Sequence, residues 1–89
     1  MQLTLEHLSF YFHQCENKRL SQHTLKAYRI DLKQFYVFMK NKEMNKQEIS
    51  SYIHYLNEHF KPKTVKRKLA SLHAFFEELV FNEILQDNP

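Results

Sequence analysis

The chain has 89 residues, 43% of them hydrophobic with eight Phe and five Tyr, and a formal net charge of +3. That length accommodates one domain with a small core. The absence of glycine, with only two prolines, argues against tight hairpins, a β-rich fold and every glycine-dependent phosphate loop.

No apolar run approaches the ~20 residues that span a bilayer. Glu6 and His7 interrupt the first segment where an export signal would be continuously apolar. The one cysteine, Cys15, cannot close an internal disulfide, so a reducing, cytoplasmic location is expected.

Apolar residues recur at helical spacing throughout. Leu5, Leu8, Phe12 and Cys15 predict a first helix over roughly residues 4–17, with Cys15 as a small core residue. Asn17 to Leu20 break the pattern. Ser21 then suits the N-cap of a second helix that runs to about Asn41 and buries Leu25, Tyr28, Leu32, Phe35 and Met39. Asn45 with Glu48 resembles a capping box, and Ile49, Tyr52, Ile53, Leu56 and Phe60 form the apolar face of the helix it opens. Pro62 fits the first position of a fourth helix, where its missing N–H costs nothing. That helix buries Val65, Leu69, Leu72, Phe76 and Leu79 and is expected to break near Asn82, leaving a tail with Ile84 and Leu85. The expected fold class is all-α, a compact bundle of four helices, with Asn and Ser turning the loops.

The charge is polarised. Residues 18–42 carry a net +6 and residues 61–68 a net +5, with acidic stretches before, between and after. Lys26, Arg29, Lys33 and Lys40 fall in one stripe about 100° round the second helix from its apolar side. Ser21, His23 and Thr24 occupy its first turn, whose free N–H groups attract anions. On the fourth helix, Lys63, Lys66 and Arg67 project about 100–160° from the core, and the same outer face continues through Ala70, His73 and Ala74. Basic residues at a helix start oppose the helix dipole, so something other than helix stability is expected to have placed them. A cationic helix with small residues on its outer face suits the major groove and phosphates of duplex DNA. The two cationic helix starts, at Ser21 and Pro62, are expected to converge on one side of the bundle.

Other constellations carry no chemistry. His54 and His59 lie on different helix faces, with no cysteine or acid pair to complete a metal site. The adjacent Glu77 and Glu78 point about 100° apart and cannot cooperate. No activating cluster surrounds Tyr28, Tyr36, Tyr52 or Tyr55. No catalytic site, cofactor, metal or small-molecule substrate is expected.

Three segments in order resemble a known family. They are Leu20-Ser21-x-x-Thr24-x-x-Ala27-Tyr28-x-x-Asp31-Leu32-x-x-Phe35, then Lys63-Thr64-Val65-x-Arg67-Lys68-Leu69-Ala70-Ser71-Leu72-His73-x-Phe75-Phe76-x-x-Leu79, and the closing Asp87-Asn88-Pro89. Together they are similar to the N-terminal core-binding, or SAM-like, domain of phage-integrase and Xer-type tyrosine recombinases. The resemblance implies a four-helix domain that forms one jaw of a C-shaped clamp on DNA, with the second and fourth helices against the major groove. It implies phosphate contacts at Thr24 and its neighbours, and groove or phosphate contacts at Thr64, Arg67 and Lys68. Lys68 lies nearer the core edge than Arg67, and His73 stands where the family usually carries a basic residue. The family's tyrosine nucleophile and its partners belong to a C-terminal domain. The chain is therefore expected to be a single binding domain over residues 1–89, cut short before the catalytic domain, with duplex DNA and other recombinase subunits as partners.

The candidate DNA contacts are thus Ser21, His23, Thr24, Lys26, Arg29, Lys33, Lys63, Thr64, Lys66, Arg67, Lys68 and His73. Two alternatives compete with this reading. One is a SAM-type protein-interaction adaptor that uses complementary charged faces. The other is a helix-turn-helix regulator, for which the long second helix fits poorly.

Overall fold

The structure, a computed structural model, describes residues 2–81. It contains four helices: α1 (Leu5–Asn17), α2 (Gln22–Met39), α3 (Lys46–His59) and α4 (Pro62–Phe81). The expected tail, with Ile84, Leu85 and the closing Asp87-Asn88-Pro89, lies outside the described residues.

Local chemistry sets the helix starts. Thr4 caps α1 by accepting from the His7 amide, and the His7 ring in turn accepts from the Thr4 amide. This is a capping box with His in place of the usual acid or amide. Leu3 before the cap and Leu8 after it are both buried, the positions of a hydrophobic staple. Ser21 Oγ accepts from the Thr24 amide at 3.1 Å to open α2. Asn45 Oδ1 accepts from the Glu48 amide at 2.9 Å to open α3. Pro62 is the first residue of α4, as its fixed backbone favours.

Without glycine, the turns recruit other residues for left-handed backbone. Asn41 takes φ 64° after α2 and Arg19 takes φ 57° after α1. Asn tolerates this region; for Arg it costs about 1 kcal/mol. α2 ends at Met39 and Lys40 serves as its C-cap, so Lys40 leaves the helical stripe that the sequence suggests.

α2 and α4 form the centre: each packs against all three other helices. Between them lie Leu32, Phe35, Leu56, Phe75 and Leu79, all without exposed surface. Phe35 meets Tyr52 and Phe76 edge-on at 5.0 and 5.9 Å between ring centroids, and Tyr11 meets Phe75 at 5.1 Å, the tilted geometry that aromatic quadrupoles favour.

Several positions differ from the periodic reading. Leu5, the first residue of α1, is 60% exposed, whereas Leu3 before the cap is buried. Phe12, Tyr28, Ile53, Phe60 and Leu69 are only partly buried, whereas Tyr11 and Phe75 are fully inside. α4 is met by three helices, so its buried arc extends past the single stripe to take in Phe75.

Candidate nucleic-acid interface

At the α2–α4 contact the two helices are joined by charge as well as by apolar packing. Asp31 is almost wholly buried on α2. Its Oδ2 accepts from Arg67 Nη1 at 2.8 Å and from the Ser71 hydroxyl at 2.7 Å, while its Oδ1 accepts from Lys68 Nζ at 3.1 Å. Lys68 Nζ also donates to Gln34 Oε1 at 2.6 Å and sits 5.0 Å above the Phe60 ring. A buried carboxylate survives only with such partners. No buried side-chain nitrogen or oxygen among the described residues lacks a hydrogen-bond partner.

This arrangement sets Lys68 apart from the other candidate contacts. Its side chain is 7% exposed and its ammonium is engaged with Asp31, Gln34 and Phe60, so reaching a phosphate would mean breaking all three contacts. Two residues of the basic block, Arg67 and Lys68, thus pair with Asp31 within the domain, Lys68 buried and Arg67 half exposed. Apolar periodicity missed Asp31, Gln34 and Ser71. The available signal was the spacing of Asp31, three residues after Tyr28 and four before Phe35, which puts a carboxylate on the apolar side of α2.

The remaining candidates stay at the surface. Lys26, Lys33, Lys63 and Lys66 are exposed and form no ion pair with the described residues. Arg67 is half exposed, 49% for its side chain, with one edge fixed on Asp31. Arg29 donates to Glu16 at 2.8 Å and lies 5.9 Å from the Phe12 ring centroid. His73 meets Glu77 at 2.9 Å on the outer face of α4. Ser21 and His23 are exposed; Thr24 and Thr64 are half-buried. The Ser21 hydroxyl donates to Thr24 Oγ1 at 2.9 Å, so the first turn of α2 is already tied together. Ala70 is exposed and Ala74 half-buried beside these cations.

The two helix starts do not lie side by side. Gln34 meets Lys68, Asp31 meets Ser71, and Tyr28 faces Ala74 across a cleft. Residue numbers therefore rise along α2 as they fall along α4, and the cationic start of α4 lies toward the C-terminal end of α2, away from Ser21. At that offset nearly the whole length of α2, roughly 25–30 Å at the usual rise, separates Ser21 from the level of Pro62. The expected convergence of the two starts is replaced by two cationic zones spaced along α2.

The cleft between α1, α2 and α4, about 550 Å³ and lined by Tyr11, Cys15, Lys18, Tyr28, Ala74 and Glu78 among others, has a different character. Lys18 pairs there with Glu78, and burial pushes the Cys15 thiol up from its ordinary range, so the thiolate is disfavoured. Among the described residues, no group of His, Cys, Asp and Glu could hold a metal ion, and no helix is long and apolar enough to cross a membrane.

Four helices, packed around α2 and α4 with a cationic surface on each, define the class as a small all-helical SAM-like domain. The family model for the phage integrase N-terminal SAM-like domain matches residues 5–86, and the chain belongs to this family. It is similar to a tyrosine recombinase of Agathobacter rectalis, 41% identical over 87 residues, covering 93% of this chain and 28% of the relative. It is also similar to tyrosine recombinase XerC of Staphylococcus saprophyticus, 33% identical over 78 residues, covering 81% of this chain and 26% of that protein. A tyrosine recombinase of Pseudothermotoga lettingae is 34% identical over 80 residues, with 81% and 28% covered. The chain thus spans about a quarter of the length of the relatives it matches. No solved structure matches it.

Proposed function

We propose that this domain grips duplex DNA as the N-terminal clamp of a tyrosine site-specific recombinase, and that the bond-breaking chemistry belongs to a C-terminal catalytic domain of the parent protein. The observation that carries this is the outer face of α4. Lys63 and Lys66 stand there exposed and unpaired among the described residues, Arg67 is half exposed, and Ala70 offers no bulk to hold the helix away from a groove. Membership in the integrase family supports the same partner.

Cations at the start of α2 and at the start of α4 would address phosphates at separate points along the duplex. The contact set proposed is Ser21, His23, Thr24, Lys26, Arg29 and Lys33 on α2, with Lys63, Thr64, Lys66, Arg67 and His73 on α4. Glu16 and Glu77 are exposed partners of Arg29 and His73, and exposed pairs are weak enough to yield to a phosphate. Other recombinase subunits would join the parent protein on its DNA.

Titration against duplex DNA at several salt concentrations tests the proposal. With about 3–5 phosphates neutralised, log affinity falls against log salt with a slope of roughly −3 to −4.5. Lys66→Ala combined with Arg67→Ala is expected to weaken binding with helicity unchanged. Wild-type affinity in that double variant would remove α4 from the interface. The adaptor alternative predicts instead a stable self-assembled complex that ignores DNA.

A further inference from the structure

We propose that Asp31 is a positioning residue for Arg67, and that Arg67, held in this way, reads a guanine edge in the major groove. This rests on the duplex-DNA reading above. Arg67 differs from its neighbours Lys63 and Lys66 in being fixed. Its guanidinium takes one bond, Nη1 to Asp31 Oδ2 at 2.8 Å, while its side chain remains 49% exposed and that of Asp31 is 1% exposed. The anchor cannot turn, because Lys68 and Ser71 hold the same carboxylate and Gln34 holds Lys68.

A guanidinium has five N–H donors in a planar fork. With one donor used inside, the others have no partner among the described residues, and the anchored nitrogen narrows the orientations that the fork can take. Arginine with two parallel N–H groups on guanine O6 and N7 is the commonest specific contact in the major groove. Orienting the fork beforehand removes ordering entropy that a free side chain would lose on binding.

Charge agrees with this assignment. One carboxylate faces two cations, so the cluster keeps a net positive charge for a partner. Arg29 is the contrasting case. Its partner Glu16 is 52% exposed, so that pair is screened by water and imposes no fixed plane. Ala70 lies three residues along α4 from Arg67 and is exposed, leaving only a methyl between the helix and the groove floor at that level. Lys63 and Lys66, with flexible stems, suit phosphates and carry no base preference.

Selection of bound duplexes from a library with a randomised core, followed by sequencing of the retained fraction, tests the assignment. Wild type is expected to prefer guanine at one position by about tenfold or more, and Arg67→Ala to lose that preference. Because Asp31→Asn alone leaves Lys68 buried without its counter-ion, it is paired with Lys68→Met, which keeps the core neutral. That double variant is expected to retain its helicity and salt slope while losing the same guanine preference. Lys63→Ala with Lys66→Ala should do the reverse, lowering the salt slope by about 2 and keeping the preference. Persistence of the preference in the Asp31 and Lys68 double variant, or in Arg67→Ala, overturns the assignment. Retention without any base preference overturns it and leaves DNA binding standing; retention of no duplex at all by wild type overturns both.

Discussion

Asp31 shows how a single side chain can set both stability and the availability of charge. Its carboxylate is held by Arg67, Lys68 and Ser71, and it is the reason two cations of the basic block cannot be counted alike. Removing one partner of a buried ion pair costs about 3–5 kcal/mol, because the other charge is left uncompensated. Asp31→Ala is therefore expected to lower unfolding free energy by about that amount, measured by urea denaturation. Lys68→Met leaves Asp31 with Arg67 and Ser71 and is expected to bind duplex DNA with the wild-type salt slope. A slope reduced by about 1 in that variant would return Lys68 to the interface. The distinction between Lys68 and Lys66 was only faintly legible in the sequence. Both are lysines in one basic run, and the wheel placed Lys68 merely nearer the core edge; what decides its role is a carboxylate 37 residues earlier in the chain.

The helices owe their boundaries to short-range chemistry, and this part of the structure was readable beforehand. Ser21 and Asn45 cap α2 and α3 through bonds to amides three residues on, and Pro62 opens α4. Substituting such a cap by Ala costs about 1 kcal/mol. Asn45→Ala is expected to lower stability by that amount and to leave DNA affinity unchanged, since α3 carries none of the proposed contacts. Equal stability of Asn45→Ala and wild type in thermal melts would show that α3 is held by packing alone. Ser21→Ala is expected to weaken both stability and DNA binding. Which side of each helix is buried was less legible. One-dimensional periodicity assigns a stripe, yet α2 and α4 each receive three neighbours, so Phe75 and Asp31 are drawn inside while Leu5, at the first position of α1, is left out.

At the scale of the whole molecule, stability is coupled to alkaline pH. Desolvation by burial is the main cause that raises the Tyr11 and Tyr52 phenols well above the usual tyrosine range, and it raises the Cys15 thiol too. The hydrogen bond to Glu78 raises the Lys18 ammonium. In each case the folded chain keeps a proton that the unfolded chain releases sooner. The unfolded state then binds fewer protons, so stability declines with rising pH. These contributions are complete below about pH 8, where the unfolded groups are still protonated, and are lost progressively above about pH 9 to 10. Urea midpoints followed by circular dichroism should fall across that range, and midpoints that stay constant from neutral pH to about 10.5 would contradict the assignment. The relative placement of α2 and α4 also belongs to this scale. Their cationic starts lie toward opposite ends of α2 instead of meeting.

The amino-acid sequence by itself determined the helical class, the four helix starts and the family. Each depends on residues within a few positions of one another or on an ordered series of short segments. Tertiary structure alone decided which cations face outward, how the two basic helices run past each other, and that Asp31 meets Arg67, Lys68 and Ser71. Those outcomes depend on contacts between residues more than thirty positions apart, where a side chain's role is set by what the fold brings to meet it.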